Sequence, residues 1–327
     1  MRRTASEKME LIRIVEASDL SATETLRHLG VPRSTFYGWY RRFLAGGFDA
    51  LEDRKAPPRA GWNQIPQSVR DELLELALDQ THLSARELAC HYTDAKRYYV
   101  SESSVYRILK SHDLITSPAY ILMAASDKFK TPTRRIHELW QTDFTYFKII
   151  GWGWYYLSTV LDDYSRYIIT WKLTPSMGAT DVEETLDQAI ALTGVQSVPV
   201  RHRPRLLSDN GPAYVSGQLR DYLAERGMGH TRGAPYHPQT QGKIERWHRT
   251  MKAVVKLQNY YFPWQLEEAL RDFVAYYNNE RPHESLDNVA PADVYYGRAV
   301  EVISEREEIK RKTMKRRKKE WRAAIAA

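Results

Sequence analysis

Cysteine is almost absent from this chain: Cys90 is the single one in 327 residues. One thiol excludes an internal disulfide framework and a paired-cysteine zinc module, and it fits a reducing cytosol. Long apolar runs are also lacking. No stretch of 18 apolar residues occurs, so no membrane-spanning helix is expected, and the opening residues do not have the pattern of a secretory leader. The expected location is therefore the cytoplasm, in association with the nucleoid, with no membrane partner. No Walker-type glycine loop is present, and no nucleotide is expected to serve as an energy source. The chain does have 43% hydrophobic and 12% aromatic residues, ample for a globular core. Its length implies two or three domains at about 150 residues each. Net charge is +7, and residues 305–327 hold ten Lys/Arg against four Asp/Glu. A basic chain attracts polyanions, which brings nucleic acid into consideration without establishing it.

The stretch that organises the rest is Leu206–Lys252. It opens with an apolar run that ends in Ser208-Asp209-Asn210-Gly211 and closes with a helical pattern carrying Glu245. Ile244, Trp247, Met251 and Val255 form one apolar stripe; Glu245 lies off it, with Gln241, His248 and Lys252 near it on the helical wheel. Upstream, residues 138–147 (ELWQTDFTYF) alternate as a strand, with Trp140, Thr142, Phe144 and Tyr146 on one face and Gln141, Asp143 and Thr145 on the other. Aspartate is a poor strand former, so Asp143 inside such a run calls for a reason. Three carboxylates on a strand, a strand end and a helix can hold two divalent ions about 4 Å apart for in-line phosphoryl transfer. Oxygen ligands with open water positions suit Mg2+ or Mn2+ rather than zinc.

These motifs resemble the catalytic core of insertion-sequence DDE transposases, which are related to retroviral integrases. The resemblance rests on the aspartate in LWQTDFTYF, the aspartate in LLSDNG and the glutamate in YHPQTQGKIERWHRTMK, with 35 residues between Asp209 and Glu245. Lys252 matches a basic position often found in this group, and Tyr277-Asn278-Asn279-Glu280-Arg281-Pro282-His283 looks like the segment that follows the core. The likeness spans roughly residues 134–297. It implies a catalytic and metal-binding triad of Asp143, Asp209 and Glu245, and an α/β ribonuclease-H-like core with a mixed five-stranded sheet and flanking helices. By the same resemblance the chain is a polynucleotidyl transferase acting on double-stranded DNA, both element ends and target. Handling two ends implies at least a dimer. The lone cysteine departs from retroviral integrases, which have a His/Cys zinc module. The 30 residues after Gly297 are too few for the small β-barrel that follows the core in those relatives.

The N-terminal third reads as tandem helix-turn-helix units. A helix over 6–19, a capping box at Ser21–Glu24, Gly30 as helix stop and a third helix from Thr35 to Arg42 make the first. Arg33, Ser34, Thr35, Tyr37 and Arg41 are its candidate DNA contacts. After a polar linker, a helix over 66–79, a second capping box at Ser84–Glu87 and a helix from Ser101 to Lys110 make the next, with Ser103 and Arg107 as contacts. The domains expected are thus 1–51, 64–116, a basic linker 117–135, the core 136–297 and a basic tail 298–327, helical or disordered. In the core, Trp154–Val160 and Tyr167–Leu173 read as strands, with helices over 179–193 and 216–226.

Each residue also has a plainer reading. Asp209 before Asn-Gly could be a turn former, Glu245 with Arg249 an ordinary surface pair, and Asp143 a backbone partner. Their joint occurrence in the family's order and spacing favours the triad. The Asp162-Asp163 pair is the main rival metal site and reads as a hairpin turn. Lys243, Arg246, His248 and Lys252 are candidate phosphate contacts, Asn210 a turn former or water-orienting group, and His237 a DNA contact or loop cap. Two other functions fit the same motifs: a nuclease of this fold that only hydrolyses, and a DNA-binding repressor with an inactive core.

Overall fold

A computed structural model describes residues 4–18, 20–52, 61–115, 133–233 and 242–326. The chain forms two compact units, Met1–Trp62 and Asn63–Ala327.

In the first unit, α1 (Ala5–Ala17), α2 (Ala22–His28) and α3 (Arg33–Gly46) enclose Ile12, Leu26, Val31, Phe36 and Leu51. The expected cap is present: Ser21 Oγ accepts from the Glu24 N–H at 3.3 Å, answering one of the donors a helix start leaves without a partner. Gly30 ends α2 with φ +63°, a conformation that L side chains rarely adopt. Arg33, Ser34, Thr35, Tyr37 and Arg41 all lie on the exposed side of α3.

In the second unit, α4 (Gln67–Asp79), α5 (Ala85–Lys96) and α6 (Glu102–Ser111) pack around Leu73, Leu88, Tyr92 and Val105. The capping box read at Ser84–Glu87 is complete. The sheet follows, with β1 (Leu139–Ile149), β2 (Gly153–Asp162), β3 (Ile168–Thr174), β4 (Arg205–Ser208) and β5 (His230–Arg232) in the order β3-β2-β1-β4-β5. Pairs β1/β2 and β2/β3 are antiparallel, whereas β1/β4 and β4/β5 are parallel, giving the mixed sheet expected.

Helices flank both faces. On one, α7 (Ala179–Thr193), α8 (Pro212–Val215) and α9 (Gly217–Glu225) cover Trp140, Val160 and Leu206. On the other, α10 (Gly242–Val255) and α11 (Pro263–Asn279) cover Phe147, Ile149, Leu157 and Leu161. The two clusters take alternate β1 residues, as the period-2 pattern requires. Beyond α11 come α12 (Pro291–Tyr295) and α13 (Ala299–Ala326).

The sequence reading gives the second three-helix group a domain of its own, 64–116. In the structure it shares one compact unit with the core, joined where the α11 residue Tyr276 donates its hydroxyl to Glu87 at 2.9 Å and Arg281 pairs with Glu87 at 3.1 Å. The tail is helical, of the two forms allowed for it. It is also docked: Arg317, 5% exposed, donates to the Tyr98 hydroxyl at 2.8 Å and the Tyr99 carbonyl at 2.7 Å, and Thr313 Oγ1 accepts from the Tyr99 N–H at 3.0 Å.

His283 stands edge-on to the buried Tyr277 ring, with centroids 4.7 Å apart. Burial first, then Arg281, Arg166 and Arg246, push its pKa down to about 3. An unfolded histidine titrates near ~6.5. Between those values the unfolded chain therefore binds the extra proton, and stability falls as pH drops, by up to about 1.4 kcal/mol per pH unit for one proton. Urea midpoints measured from pH 7 to pH 4 should fall less steeply in His283→Leu than in the wild type.

Candidate active site

The parallel register of the two central strands places the first two carboxylates. Gln141 of β1 lies opposite Leu207 of β4. Continuing that register by two residues brings Asp143 level with Asp209, just past the end of β4. Asp143 falls on the β1 face that carries Gln141, Thr145 and Phe147, the side covered by α10.

Asp209 folds back on its own turn. Its Oδ1 accepts from the Gly211 N–H at 2.8 Å, and a Cβ at Gly211 would stand 3.0 Å from that oxygen, so glycine leaves room for the carboxylate. Asn210 donates to the Gly233 carbonyl at 2.8 Å, tying the turn to the end of β5. Burial raises the pKa of Asp209; the Gly211 N–H lowers it and the Asp143 charge raises it again. The two aspartates thus share one electrostatic environment.

Glu245 sits in the first turn of α10, exposed. Three residues on, His248 is buried with Nδ1 3.5 Å from Asp143 Oδ2. Four residues further, Lys252 lies over the Tyr146 ring at 4.7 Å from its centroid. Burial and then Lys256 lower the pKa of Lys252, while Asp143 raises it. Positions 245, 248 and 252 share one helix face, so Glu245 projects from the face that meets Asp143, one turn nearer the helix start. The structure brings Asp143 and Asp209 together and does not close Glu245 onto them. Among the described residues no group of three His, Cys, Asp or Glu side chains is close enough to hold a metal ion.

The other predicted contacts divide. Arg246 is exposed on α10, as are Ser103 and Arg107 on α6, where Arg107 donates to the Ser103 carbonyl at 3.1 Å. Lys243 is turned inward, its Nζ 2.6 Å from Asp163 Oδ2, which removes it from an outward phosphate-binding set. His248 is likewise buried against Asp143 instead of facing solvent. His237 and Gln241 lie outside the described residues. Asp162 ends β2 and Asp163 begins the turn that the composition predicts, and both are buried. Asp162 accepts from the His137 N–H at 2.8 Å and from Ser165 N–H and Oγ at 2.8 and 2.7 Å. Asp163 accepts from Gln141 Nε2 at 2.7 Å and from Thr133 Oγ1 at 2.6 Å. The sequence reading gives neither Gln141 nor His248 its role beside Asp143, although it sets Gln141 on the Asp143 face of the strand and His248 near Glu245 on the helical wheel.

Residues 133–238 match the model of the integrase core domain family, and residues 226–291 match a second model of that description. Residues 7–59 match a helix-turn-helix domain and residues 35–109 a homeodomain-like domain. The transposase for insertion sequence element IS629 from Shigella sonnei is 28% identical over 190 residues, covering 57% of this chain and 62% of that protein. The Gag-Pro-Pol polyprotein of mouse mammary tumor virus is 34% identical over 132 residues, 39% of this chain and 7% of that protein. This chain thus spans less than two thirds of the length of either relative. Among solved structures, the HTLV-2 integrase catalytic core domain in complex with magnesium aligns over 49% of this chain and 97% of that one, at 19% identity and a TM-score of 0.39. The chain thus carries segments that match integrase core domain models, behind segments that match helix-turn-helix and homeodomain-like models.

Proposed function

We propose that this protein is a DNA transposase that binds the ends of its element, cleaves there and joins the freed 3′-hydroxyl to target DNA. The observation that carries the reading is the closeness of Asp143, midway along β1, to Asp209, just past the end of the neighbouring parallel strand β4, with Glu245 in the first turn of α10 on the same side of the sheet. Two carboxylates side by side repel unless a cation lies between them, and the charge of Asp143 is felt at Asp209. This donor set of hard oxygens fits divalent ions. Asp143, Asp209 and Glu245 would hold two Mg2+ or Mn2+ ions, whose chemistry when bound is to activate a nucleophilic oxygen and stabilise the leaving one.

The chain's own groups supply position and charge. Asp209 is fixed by the Gly211 N–H, and Lys252 brings positive charge to the edge of the site. Arg33, Ser34, Thr35, Tyr37 and Arg41 present an exposed polar helix edge that suits a DNA groove, and Ser103 and Arg107 do the same on α6. Such contacts position the duplex through its phosphates and select it through base edges. Two DNA ends held at once call for at least a dimer on DNA. A cytoplasmic, nucleoid-associated protein fits this activity, and no described helix is long and apolar enough to cross a membrane.

The test is a strand-transfer assay with magnesium, using labelled DNA from the flanks of the gene and a plasmid target, with Glu245→Gln in parallel. Joined product from the wild type and none from the variant is the expected result. Cleavage without joining would indicate a nuclease, and binding with neither reaction a repressor.

A further inference from the structure

We infer that Gln141, Asp163 and Lys243 form a positioning device that fixes the first turn of α10, and with it Glu245, to the strand that carries Asp143. The inference rests on the proposed triad. Its basis is a closed set of bonds. Gln141, fully buried, lies two residues before Asp143 on the same face of β1. Its amide nitrogen donates to Asp163 Oδ1 at 2.7 Å, and its amide oxygen accepts from the Ile244 N–H at 3.1 Å. Lys243 reaches back from α10, with Nζ 2.6 Å from Asp163 Oδ2 and 3.1 Å from the Asp163 carbonyl. Asp163, 2% exposed, is itself anchored: its N–H donates to the Leu139 carbonyl at 2.9 Å, and Thr133 Oγ1 donates to its carboxylate at 2.6 Å.

A helix start leaves its first four N–H groups without intrahelical partners, and a local Ser, Thr, Asp or Asn usually takes one. Here the Ile244 N–H, third in α10, is taken by a side chain from the central strand 103 residues away in sequence. The residue after Ile244 is Glu245, so the cap sets both the height and the rotation of the turn from which that carboxylate projects. One amide, Gln141, therefore couples the Asp143 strand to the Glu245 helix, and the part-buried Lys243–Asp163 pair holds the same turn. None of the three reaches the exposed site itself. They are positioning residues, acting through Glu245.

The test uses the full-length chain. Gln141→Met keeps the side-chain volume and removes both of its bonds. The double variant Lys243→Met/Asp163→Asn removes the ion pair without leaving a buried charge behind, and Lys243→Arg preserves it. Amide hydrogen exchange across residues 242–248 is read first, without metal or DNA, followed by strand-transfer kcat and element-end affinity. Both Met-containing variants should speed exchange in that segment at least about tenfold. They should lower kcat about 10- to 100-fold, the usual penalty for losing an outer-shell partner of a ligand, with end affinity unchanged. Lys243→Arg should restore both readouts. Exchange at the wild-type rate in both variants, or faster exchange with full kcat, overturns the inference. Glu245→Gln is run alongside: full transfer in that variant would remove the triad reading, while the exchange result would still decide whether the cap exists.

Discussion

Asp143→Asn and Asp209→Asn should each lower strand transfer by at least about 10³-fold, roughly 4 kcal/mol of barrier at 1.36 kcal/mol per tenfold. Each exchange keeps the side-chain size and removes one negative charge from a site where the Asp143 charge raises the pKa of Asp209. In Asp209→Asn the new amide oxygen could still accept from the Gly211 N–H, and in Asp143→Asn from the Phe144 N–H, so both local hydrogen bonds persist. Thermal midpoints should stay close to the wild type or rise, because the repulsion between the two carboxylates is gone. Element-end binding should also survive, since the exposed edge of α3 lies in the other compact unit. Gel-shift titration, a melting curve and a joining assay on the same preparation check all three points. Loss of folding in both variants, or transfer within tenfold of wild type, would remove these aspartates from the catalytic role.

Trp247→Ala should cost about 3–5 kcal/mol of stability, the range for deleting a buried aromatic. Trp247 is 1% exposed and packs against Tyr277 at 4.5 Å and Phe273 at 5.6 Å between ring centroids. These contacts join α10 to α11, so the cavity would open under the helix that carries Glu245, and transfer should fall along with stability. Trp247→Phe separates volume from polarity. The indole Nε1 is buried and has no hydrogen-bond partner among the described residues, so replacing it with a ring that lacks a donor removes an unmet demand while keeping most of the packing. The expected order of urea midpoints is wild type and Trp247→Phe close together, with Trp247→Ala far below. A Phe variant as unstable as the Ala one would show that the indole nitrogen has a partner after all.

What could be read from the chain before folding, and what could not, follows from where each signal is encoded. The alternation in residues 138–147 is local, and it placed Asp143 on the face opposite Trp140, as found. The helix over 179–193 was legible because its apolar period and the Gly194 stop both lie within the segment, and α7 has the same bounds. The composition of Asp162-Asp163 signals a hairpin and says nothing of burial, which is made tolerable by hydrogen bonds from His137, Ser165 and Thr133 and by the return of Lys243 and Gln141 from elements far away in sequence. The tail is helical, one of the two forms expected, but its docking could not be read for a similar reason. Its inward stripe is Ile309, Thr313 and Arg317, with a single strongly apolar member, so no hydrophobic period could announce that it docks. Its partners are the Tyr98 and Tyr99 groups of the second helical set, invisible to any window along α13. Lys243 could not be told from Arg246 by spacing, because direction on the first turn of a helix depends on what the neighbouring strand offers.

The clamp between α13 and the residues before α6 also sets a timetable for synthesis. Tyr99 and Thr313 meet across 214 positions. At about 5–20 residues per second, a ribosome needs roughly 10–45 s to make the second partner after the first. The Met1–Trp62 unit is compact by itself, with its own core, and can be complete while the rest is still being translated. The second helical set acquires its last support only as the final turns of α13 emerge. A newborn chain therefore completes its first helical unit well before the body that holds Asp143, Asp209 and Glu245, and under the proposed function a message broken late in the gene would yield a product that occupies element ends without acting on them.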